Sequence, residues 1–366
     1  MRVAFVSSHA QPGGSERYLE LLLDELGPPW IAEVIVLQAG WLVDRLHLAG
    51  HPVTVVPVGR RLDLLAGAVR LRRELRRVRP RVIHANGVKA ALVAGLATIG
   101  SGVPVIWVKH DFSGGRWLTS VVAALCRQVV GVSAAVTAAV PGTLSARVHV
   151  VPNGTRPVSV DRDAARAELR ERLGLDASAP VVLFLGRLSR VKGARLLVAA
   201  LPRLRERVPR AHVVIAGERD IAEPEVADEL PVQAAALGVQ GAISFLPWQD
   251  DPARLVAGAD VVAVPSGPHV PGGSPGEGFG LVAIEAMAIG TPVVAVAAGA
   301  LPEVLGDAGR LVAPTAEALA DGLADVLLDP ALRQRFAAAG RRRVAEYFTL
   351  ERMSARMQER YLEAAR

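Results

Sequence analysis

Short apolar runs, many of them rich in β-branched residues, alternate along the chain with longer segments rich in alanine and leucine. Several runs are apolar throughout, which is typical of parallel strands covered on both faces. The intervening segments are long enough for helical crossovers, so the order predicts βαβ units. The predicted strands are 3–7, 33–37, 53–57, 82–85, 105–109, 129–132, 149–151, 181–186, 212–217, 243–246, 261–265, 293–296 and 310–312.

Residues 152–180 separate two series of these strands. The stretch contains prolines, glycine and a charged, helix-like piece at 163–172, which is typical of a linker that leads into a second domain. A length of 366 residues fits about two domains. We therefore predict an α/β protein with doubly wound domains at 1–157 and 158–349. The amphipathic segment 350–366 is predicted to form a helix that packs back on the first domain.

The composition excludes several classes of protein. Hydrophobic residues make up 51% of the chain and charged residues 21%, which excludes a disordered or collagen-like chain. A single cysteine, Cys126, excludes a disulfide framework and fits a reducing compartment. Because Cys126 lies in an apolar stretch, we interpret it as a packing residue. The net charge of +6 allows phosphates, nucleic acid or acidic lipid as partners, and it is equally explained by a genomic bias toward arginine.

The sequence shows no segment suited to span a membrane. A spanning helix needs ~20 apolar residues. The longest candidate, residues 281–301, is interrupted by Glu285 and by Gly290, Thr291 and Pro292. The first residues favour a strand over a signal peptide. These observations predict a cytoplasmic protein that is soluble or peripherally bound.

The stretch 265–289 contains the most informative group of residues. A predicted strand ends at Pro265, a glycine-rich loop leads to Gly278 and Gly280, and a helix is predicted from about residue 279 to about 289. The free N–H groups of a helix start favour an anion. Glu285 lies in an otherwise apolar turn, where its carboxylate would accept from donors such as sugar hydroxyls. The alternative is that Glu285 faces solvent and the glycines only cap the helix.

Two further groups of residues suggest phosphate binding. Arg187 follows a predicted strand and Lys192 precedes the next helix, so together they supply two positive charges for a diphosphate. The alternative for this pair is a surface ion pair. Gly13 and Gly14 form a turn that opens a helix after the first strand. Neither G-x-G-x-x-G nor G-x-x-x-x-G-K-[ST] occurs, which excludes those fingerprints.

In this order, the residues resemble the retaining glycosyltransferases of family 4 type. That family has the GT-B fold, in which two Rossmann-like domains face each other across a cleft. The most specific match is the E-x7-E element formed by Glu277 and Glu285. The other matches are Gly13-Gly14-x-Glu16, Val151-Pro152-Asn153-Gly154, Gly186-Arg187 with Lys192, Ala259-Asp260 and Pro265-Ser266.

The resemblance implies a role for each matched residue. Catalysis would involve His110, Glu277, Arg187 and Lys192, with His110 beside the reacting carbon; the alternative for His110 is a core or loop histidine. The N-terminal domain would serve the acceptor and the C-terminal domain the donor, whose base is recognised by backbone at 246–248. The implied donor-binding residues are Gly13, Gly14, Arg187, Lys192, Leu246, Glu277, Gly278, Phe279, Gly280, Leu281 and Glu285.

Three segments depart from the family pattern. The loop from Gly267 to Gly276 is longer than usual; it would either shape a substrate pocket or form a flap, or it is a plain insertion. The common His-x-His pattern is replaced by His84-Ala85-Asn86. The usual glycine-rich turn after the strand at 212–217 is replaced by Glu218-Arg219-Asp220.

The resemblance further implies a hexosyltransferase of polysaccharide or glycoconjugate biosynthesis that needs no metal or cofactor. It would move a sugar, with retention, from a nucleoside-diphosphate sugar to a hydroxyl of a sugar, a glycolipid or a small molecule. The D-x-D-like Asp161-Arg162-Asp163 lies in the linker, so we interpret it as a helix start. The alternative function is a sugar-nucleotide epimerase or a phosphorylase on the same fold. Nucleic-acid binding is not predicted, because the arginines are not interleaved with aromatic residues.

Residues 60–81 carry arginines at both ends, Arg60 and Arg81, and between them a pattern of amphipathic helix. Leu71 and Leu75 mark its apolar face, and arginines lie opposite. A basic amphipathic helix can lie on acidic lipid, which would place the protein on the inner face of the cell membrane. The alternative is an ordinary crossover helix packed on its sheet.

Overall fold

The computed structural model of the chain describes residues 1–59, 63–249, 251–268 and 275–366. The chain divides into two compact units. The first unit comprises Met1–Gly154 together with Leu350–Arg366, and the second comprises Thr155–Thr349. The division after Gly154 lies close to the boundary that we predicted after residue 157, and the last helix belongs to the first unit.

The first unit is a seven-stranded parallel sheet with helical crossovers. The strand order is β3-β2-β1-β4-β5-β6-β7. Its strands are β1 (Val3–Ser7), β2 (Ile31–Val36), β3 (Val53–Val55), β4 (Val82–Asn86), β5 (Val105–Lys109), β6 (Gln128–Gly131) and β7 (Val148–Val150). Its helices are α1 (Gly14–Leu26), α2 (Trp41–Leu48), α3 (Leu64–Val78), α4 (Val88–Ala97), α5 (Gly115–Leu125), α6 (Ala134–Thr137) and, from the end of the chain, α15 (Leu350–Ala364).

The second unit is a six-stranded parallel sheet. The strand order is β10-β9-β8-β11-β12-β13. Its strands are β8 (Val181–Leu185), β9 (His212–Ala216), β10 (Ile243–Leu246), β11 (Val261–Val264), β12 (Val293–Val296) and β13 (Arg310–Val312). Its helices are α7 (Arg162–Arg172), α8 (Ala194–Arg207), α9 (Glu225–Ala236), α10 (Ala253–Gly258), α11 (Leu281–Ile289), α12 (Leu301–Leu305), α13 (Ala316–Leu328) and α14 (Pro330–Tyr347).

Each predicted strand is present, although the four edge strands, β3, β7, β10 and β13, are only partly buried. Every residue of β1, β5, β9 and β12 is buried. Several strand ends differ from the prediction by one or two residues, and two of them have a clear local cause. The strand predicted at 53–57 ends at Val55, before Pro57, which has no N–H to donate to a neighbouring strand. The strand predicted at 181–186 ends at Leu185, because Gly186 adopts φ +149°, which takes the backbone out of the extended region.

Each sheet contains one place where the order of strands reverses. In the first unit the chain builds outward from β1 in one direction and from β4 in the other, and in the second unit the same occurs at β8 and β11. Open α/β sheets bind ligands outside the carboxyl ends of the strands at such a place. The residues that follow β1, β4, β8 and β11 are therefore the best candidates for a ligand site.

A buried ion pair lies at the opposite, amino-terminal edge of the second sheet. Arg170 of α7 donates to Asp260 Oδ2 at 2.6 Å, and the Val181 amide at the start of β8 donates to the same oxygen at 2.8 Å. Arg166 contacts Asp260 Oδ1 at 2.9 Å. Arg170 also donates to the carbonyl oxygens of Ala179 and Gly258. Asp260, which the family resemblance singled out, thus ties α7 to the beginnings of β8 and β11.

Cys126 is buried, and burial raises the pKa of its thiol to about 12, which supports packing over nucleophilic chemistry. Within the described part of the chain, none of the helices combines the length and the apolar character that crossing a bilayer requires.

Candidate active site

Two glycines bring the carboxyl ends of β8 and β9 into backbone contact. A Cβ atom on Gly217 would lie 1.8 Å from the carbonyl oxygen of Gly186, so only glycine fits there. The two segments remain paired beyond the ends of the strands, since the Leu188 amide donates to the Glu218 carbonyl at 2.8 Å. Arg187 therefore emerges from a fixed backbone at the edge of the sheet.

Arg187 is held by a carboxylate of the neighbouring loop. Its Nη1 donates to Asp220 Oδ2 at 3.1 Å, and Asp220 Oδ1 accepts from the Ala222 amide at 2.8 Å. Asp220 is buried, whereas the Arg187 side chain is 50% exposed. The segment that replaces the family's glycine-rich turn thus supplies an acidic anchor that orients the guanidinium and leaves half of it accessible.

Lys192 and Glu277, which lie 85 residues apart in sequence, are brought together. Lys192 ends a short 3₁₀ turn, Arg190–Lys192, before α8. Its Nζ lies 2.9 Å from Glu277 Oε1 and 2.7 Å from Oε2, and Ser266 Oγ donates to Oε2 at 3.0 Å. Because Ser266 follows β11 and Lys192 follows β8, this cluster lies where the strand order of the second sheet reverses.

The charges of this cluster determine the ionisation of Glu277. Burial raises the pKa of Glu277, but Lys192, Ser266 and Arg187 outweigh that effect and hold the pKa below its ordinary value. Glu277 is therefore a carboxylate at neutral pH. Arg187 and Lys192 supply the two positive charges that we predicted, and each is also paired with a carboxylate, as the ion-pair alternative allowed. An incoming diphosphate must therefore share or displace those partners.

The backbone of Glu277 is fixed by a loop that the sequence did not indicate. The Ala300 amide, after β12, donates to the Glu277 carbonyl at 2.8 Å. Gly299 has φ +57°, and a Cβ atom there would lie 2.2 Å from the Glu277 carbonyl oxygen and 2.7 Å from its nitrogen. The contact needs a glycine for two reasons, the positive φ and the close approach of backbone to backbone.

We expect Gly299→Ala to displace Glu277 and to lower the turnover of this candidate site roughly 10²-fold, since a shift of about 1 Å at a reacting centre has that effect. The matched control is Gly241→Ala, because Gly241 in the same unit has no atom within 4 Å of an added Cβ. Turnover and thermal unfolding of both variants are the measurements. Equal turnover in the two variants contradicts the assigned role of Gly299.

The helix after Glu277 begins and ends close to its predicted bounds. Gly280 has φ +102° at the start of α11 and Gly290 has φ +84° at its end. The Ala283 amide donates to the Gly280 carbonyl at 3.0 Å. The two amides before it have no acceptor within the helix, which suits an anion or a hydroxyl. Phe279 is buried and packs edge-to-face on Phe348, with the rings 5.6 Å apart. Its side chain therefore anchors the loop, and only its backbone can serve a ligand.

The remaining donor-binding predictions occupy separate places in the second unit. Glu285 lies in α11 and is half-buried. Leu246 ends β10, two strands away from β8, and its carbonyl accepts from the Gly217 amide at 3.2 Å. Gly278 and Leu281 flank Phe279 and Gly280 at the beginning of α11. Their roles toward a donor remain predictions.

In the first unit, the structure places the predicted glycine turn and histidine beside one asparagine. Gly13 precedes α1 and Gly14 begins it. His110 follows β5, and its Nε2 lies 2.6 Å from Asn86 Oδ1, at the end of β4. Asn86 Nδ2 donates to the Ser15 carbonyl of α1 at 3.0 Å. Sequence analysis noted Asn86 only as a departure from His-x-His and missed this role.

The two histidines of this region have different environments. His84 is fully buried, with Nδ1 2.7 Å from the hydroxyl of Tyr361, and burial lowers its pKa to about 3. His84 is a core histidine. Burial likewise lowers the pKa of His110 to about 4, so that imidazole is neutral at physiological pH. His110 is half-buried and lies at the carboxyl edge of the sheet, as expected for a site residue.

Two predictions fall partly outside the described residues. Residues 269–274 of the long loop and residues 60–62 of the arginine-rich segment are not among them. The rest of that segment forms α3, whose Leu71 and Leu75 are buried. Arg72 donates to the carbonyl oxygens of Ala97 and Ile99 at 3.0 and 2.8 Å. These contacts favour the crossover helix over a membrane-bound one.

The metal-like Asp161-Arg162-Asp163 has a structural role. Asp161 Oδ1 accepts from the amides of Asp163 and Ala164, both at 3.1 Å, and so caps α7. Among the described residues, no group of three or more histidine, cysteine, aspartate or glutamate side chains could hold a metal ion.

The two Rossmann-like units define the GT-B class of glycosyltransferase fold, which confirms the predicted fold class. HepE from Anabaena, crystallised with UDP, matches with a TM-score of 0.85 and 24% identity over 99% of this chain and 100% of that chain. Sucrose-phosphate synthase from Thermosynechococcus elongatus matches with a TM-score of 0.78 and 22% identity over 99% and 98% of the two chains.

Family models identify both units. The model described as Glycosyltransferase Family 4 matches residues 12–157, and that described as Glycosyl transferases group 1 matches residues 165–343. The chain therefore belongs to the family 4-type glycosyltransferases.

Curated relatives match part of the chain. The D-inositol 3-phosphate glycosyltransferase of Xylanimonas cellulosilytica is 39% identical over 231 residues, 60% of this chain and 52% of the relative. The phosphatidyl-myo-inositol mannosyltransferase of Mycobacterium tuberculosis is 39% identical over 207 residues, 54% of this chain and 49% of the relative. These matches span about half the length of the relatives.

Proposed function

We propose that this protein transfers a hexose, with retention of configuration, from a nucleoside-diphosphate sugar to a hydroxyl acceptor. The observation that carries the proposal is the cluster of Lys192, Glu277 and Ser266 beside Arg187 at the strand reversal of the second sheet. Cations suit a diphosphate and an oriented carboxylate suits sugar hydroxyls. Family membership supports the same conclusion.

The proposed chemistry requires positioning and charge stabilisation more than a strong base. The bond between the anomeric carbon and the β-phosphate oxygen breaks, and the acceptor oxygen bonds to the same face of that carbon. The leaving β-phosphate accepts the proton of the acceptor hydroxyl. Arg187, Lys192 and the first amides of α11 stabilise the negative charge that builds on the leaving diphosphate. Glu277 holds the sugar. In this scheme the protein uses no metal and no cofactor other than its substrate.

The partners are proposed from the relatives and from the resemblance. The names of the curated relatives favour an acceptor that carries inositol or inositol phosphate. Gly13 and Gly14 would contact the phosphate, His110 would lie beside the reacting carbon, and backbone near Leu246 would recognise the base. A glycolipid acceptor would require contact with a membrane surface, and binding to acidic vesicles tests that separately.

A screen of UDP, GDP, ADP and TDP by thermal shift tests the donor site. We expect one nucleotide to raise the unfolding temperature, since a ligand at 100 times its Kd stabilises by ~2.7 kcal/mol. Arg187→Ala should weaken the binding of that nucleotide about tenfold. This loss is near the low end for a hydrogen bond to a charged group, because the Arg187 side chain is half-exposed.

The matched control for Arg187→Ala is Arg190→Ala. Arg190 is a nearby exposed arginine that pairs with Glu223 and Glu225, and its loss should leave nucleotide affinity unchanged. Stabilisation by none of the four nucleotides overturns the proposal. A sugar nucleotide incubated without acceptor distinguishes the alternative, because an epimerase converts the sugar whereas a transferase at most hydrolyses it slowly.

A further inference from the structure

Asn86 is a buried polar residue at the carboxyl edge of the first sheet, and both its backbone and its side chain are hydrogen-bonded. It is the last residue of β4 and is 1% exposed. Its carbonyl accepts from the Ser8 amide at 3.2 Å and from Ser8 Oγ at 2.9 Å. Gly87, with φ +95°, leaves room for that hydroxyl, since a Cβ there would lie 2.8 Å from Ser8 Oγ. These contacts with Ser8 therefore fix the backbone of Asn86.

The orientation of the Asn86 amide follows from its neighbours. The Ser15 carbonyl, 3.0 Å from Nδ2, can only accept a hydrogen bond. Nδ2 must therefore face Ser15, and Oδ1 must face His110 Nε2 at 2.6 Å. Because Oδ1 also only accepts, the proton of this short hydrogen bond belongs to His110 Nε2.

We propose that Asn86 is a positioning residue that holds His110 in the Nε2–H tautomer and presents its Nδ1 lone pair as an acceptor for a substrate hydroxyl. The role toward substrate depends on the proposed function, whereas the tautomer does not. Among the residues that the structure describes, His110 Nδ1 has no hydrogen-bond partner. Its partner in this proposal is a hydroxyl of the sugar or acceptor, because a phosphate at neutral pH brings no proton to share.

The surroundings of His110 keep its ring neutral. Tyr18 of α1 packs edge-on against the ring, with centroids 4.8 Å apart. Burial lowers the pKa of His110 to about 4, with Lys109 acting in the same direction and Asp111 against it. Burial also raises the pKa of Tyr18, so the phenol is uncharged. The coulombic effect of His110 further lowers the pKa of His84, so both rings remain neutral and Nδ1 of His110 keeps its lone pair.

Asn86 also connects two elements that the sequence indicated separately. One end of its amide contacts the first turn of α1, directly after Gly13 and Gly14, and the other end contacts His110. An alanine at this position would release both contacts. An aspartate would keep an acceptor for His110 and lose the donor to Ser15. The two substitutions therefore separate the tautomer from the anchoring of α1.

Nuclear magnetic resonance of the ¹⁵N-histidine-labelled protein tests the tautomer without an activity assay. We expect wild-type His110, assigned by comparison with His110→Gln, to show the Nε2–H form between pH 6 and 8. In Asn86→Ala the ring should populate both tautomers. In Asn86→Asp it should keep Nε2–H and titrate at a higher pH, because the new carboxylate stabilises the imidazolium. His212 of the second unit, 2.8 Å from Ser244 Oγ, is the internal control.

Turnover gives the functional half of the test, using the sugar nucleotide whose diphosphate stabilises the wild type. Asn86→Ala should lower kcat roughly tenfold to a hundredfold. In Asn86→Asp the acid limb of the pH profile should move to higher pH, because protonation of Nδ1 removes the acceptor. The proposal is overturned if His110 of the wild type has the Nδ1–H form, a result that needs no variant to fold. It is also overturned if the tautomer of His110 is unchanged in Asn86→Ala. The expected spectra without turnover of any sugar nucleotide support the tautomer and reject the proposed function.

Discussion

Lys192→Ala is expected to lower sugar transfer roughly 10²- to 10³-fold, the cost of removing one donor that stabilises charge in a transition state. Lys192 Nζ lies within 2.9 Å of both Glu277 oxygens. In the proposed mechanism, the substitution removes a cation that stabilises the leaving diphosphate. It also removes the main restraint on Glu277, the carboxylate proposed to hold the sugar. Both effects act on kcat, which steady-state kinetics with saturating donor measures.

The same substitution has a second expected effect, on the pH dependence of stability. In the wild type the pKa of Glu277 is lowered, so its ionisation contributes to stability above the ordinary pKa and the contribution is lost as the pH falls through the lowered value. Without Lys192 the burial of Glu277 favours the protonated form. The difference in unfolding free energy between wild type and variant should therefore be larger at pH 7 than at pH 4, by chemical denaturation.

The matched control for Lys192→Ala is Arg195→Ala. Arg195 lies in α8, three residues along the chain, and forms an exposed pair with Glu229. Exposed pairs contribute about 0–1 kcal/mol, so its loss should change neither turnover nor the pH dependence of unfolding. Turnover of Lys192→Ala within a factor of two of wild type would remove Lys192 from the mechanism.

The strands of this fold are predictable from sequence, because a strand that is buried on both faces of a parallel sheet is a short run of apolar residues. The glycines at the ends of α11 are equally visible, since a left-handed backbone at a helix end favours that residue. The linker at 152–180 and the chain length then divide these elements between two domains. These inferences use information that is visible along the chain.

Contacts between side chains of different strands and loops are not visible in any local sequence pattern. Nothing in the segments around Lys192 and Glu277 indicates that the two side chains pair, because the contact arises where β8 and β11 become neighbours. The same is true of Gly299, whose need for glycine comes from the carbonyl of Glu277. Asn86 looked like a loss relative to the family pattern, and its contacts from α1 and β5 show why an amide suits that position.

Asp260→Ala is expected to destabilise the second unit by about 3–5 kcal/mol, the usual result of breaking a buried pair by removing one partner. The Arg170 and Asp260 side chains are 3% and 7% exposed. Without Asp260, the Arg170 guanidinium stays buried with only carbonyl partners, those of Arg166, Ala179 and Gly258. The Val181 amide also loses the carboxylate to which it donates. Chemical denaturation at pH 7 measures the loss.

The position of Asp260 separates its effect on stability from any effect on the site. It precedes β11 at the amino-terminal edge of the sheet, whereas Ser266 follows the same strand at the opposite edge. Nucleotide affinity of folded Asp260→Ala should therefore match the wild type. The control is Asp321→Ala, which removes an exposed carboxylate that pairs with Arg203 and Arg207 and should cost at most about 1 kcal/mol. Equal losses of unfolding free energy in the two variants contradict the structural role of Asp260. If Asp260→Ala instead binds the nucleotide more weakly and its stability is unchanged, Asp260 belongs to the site.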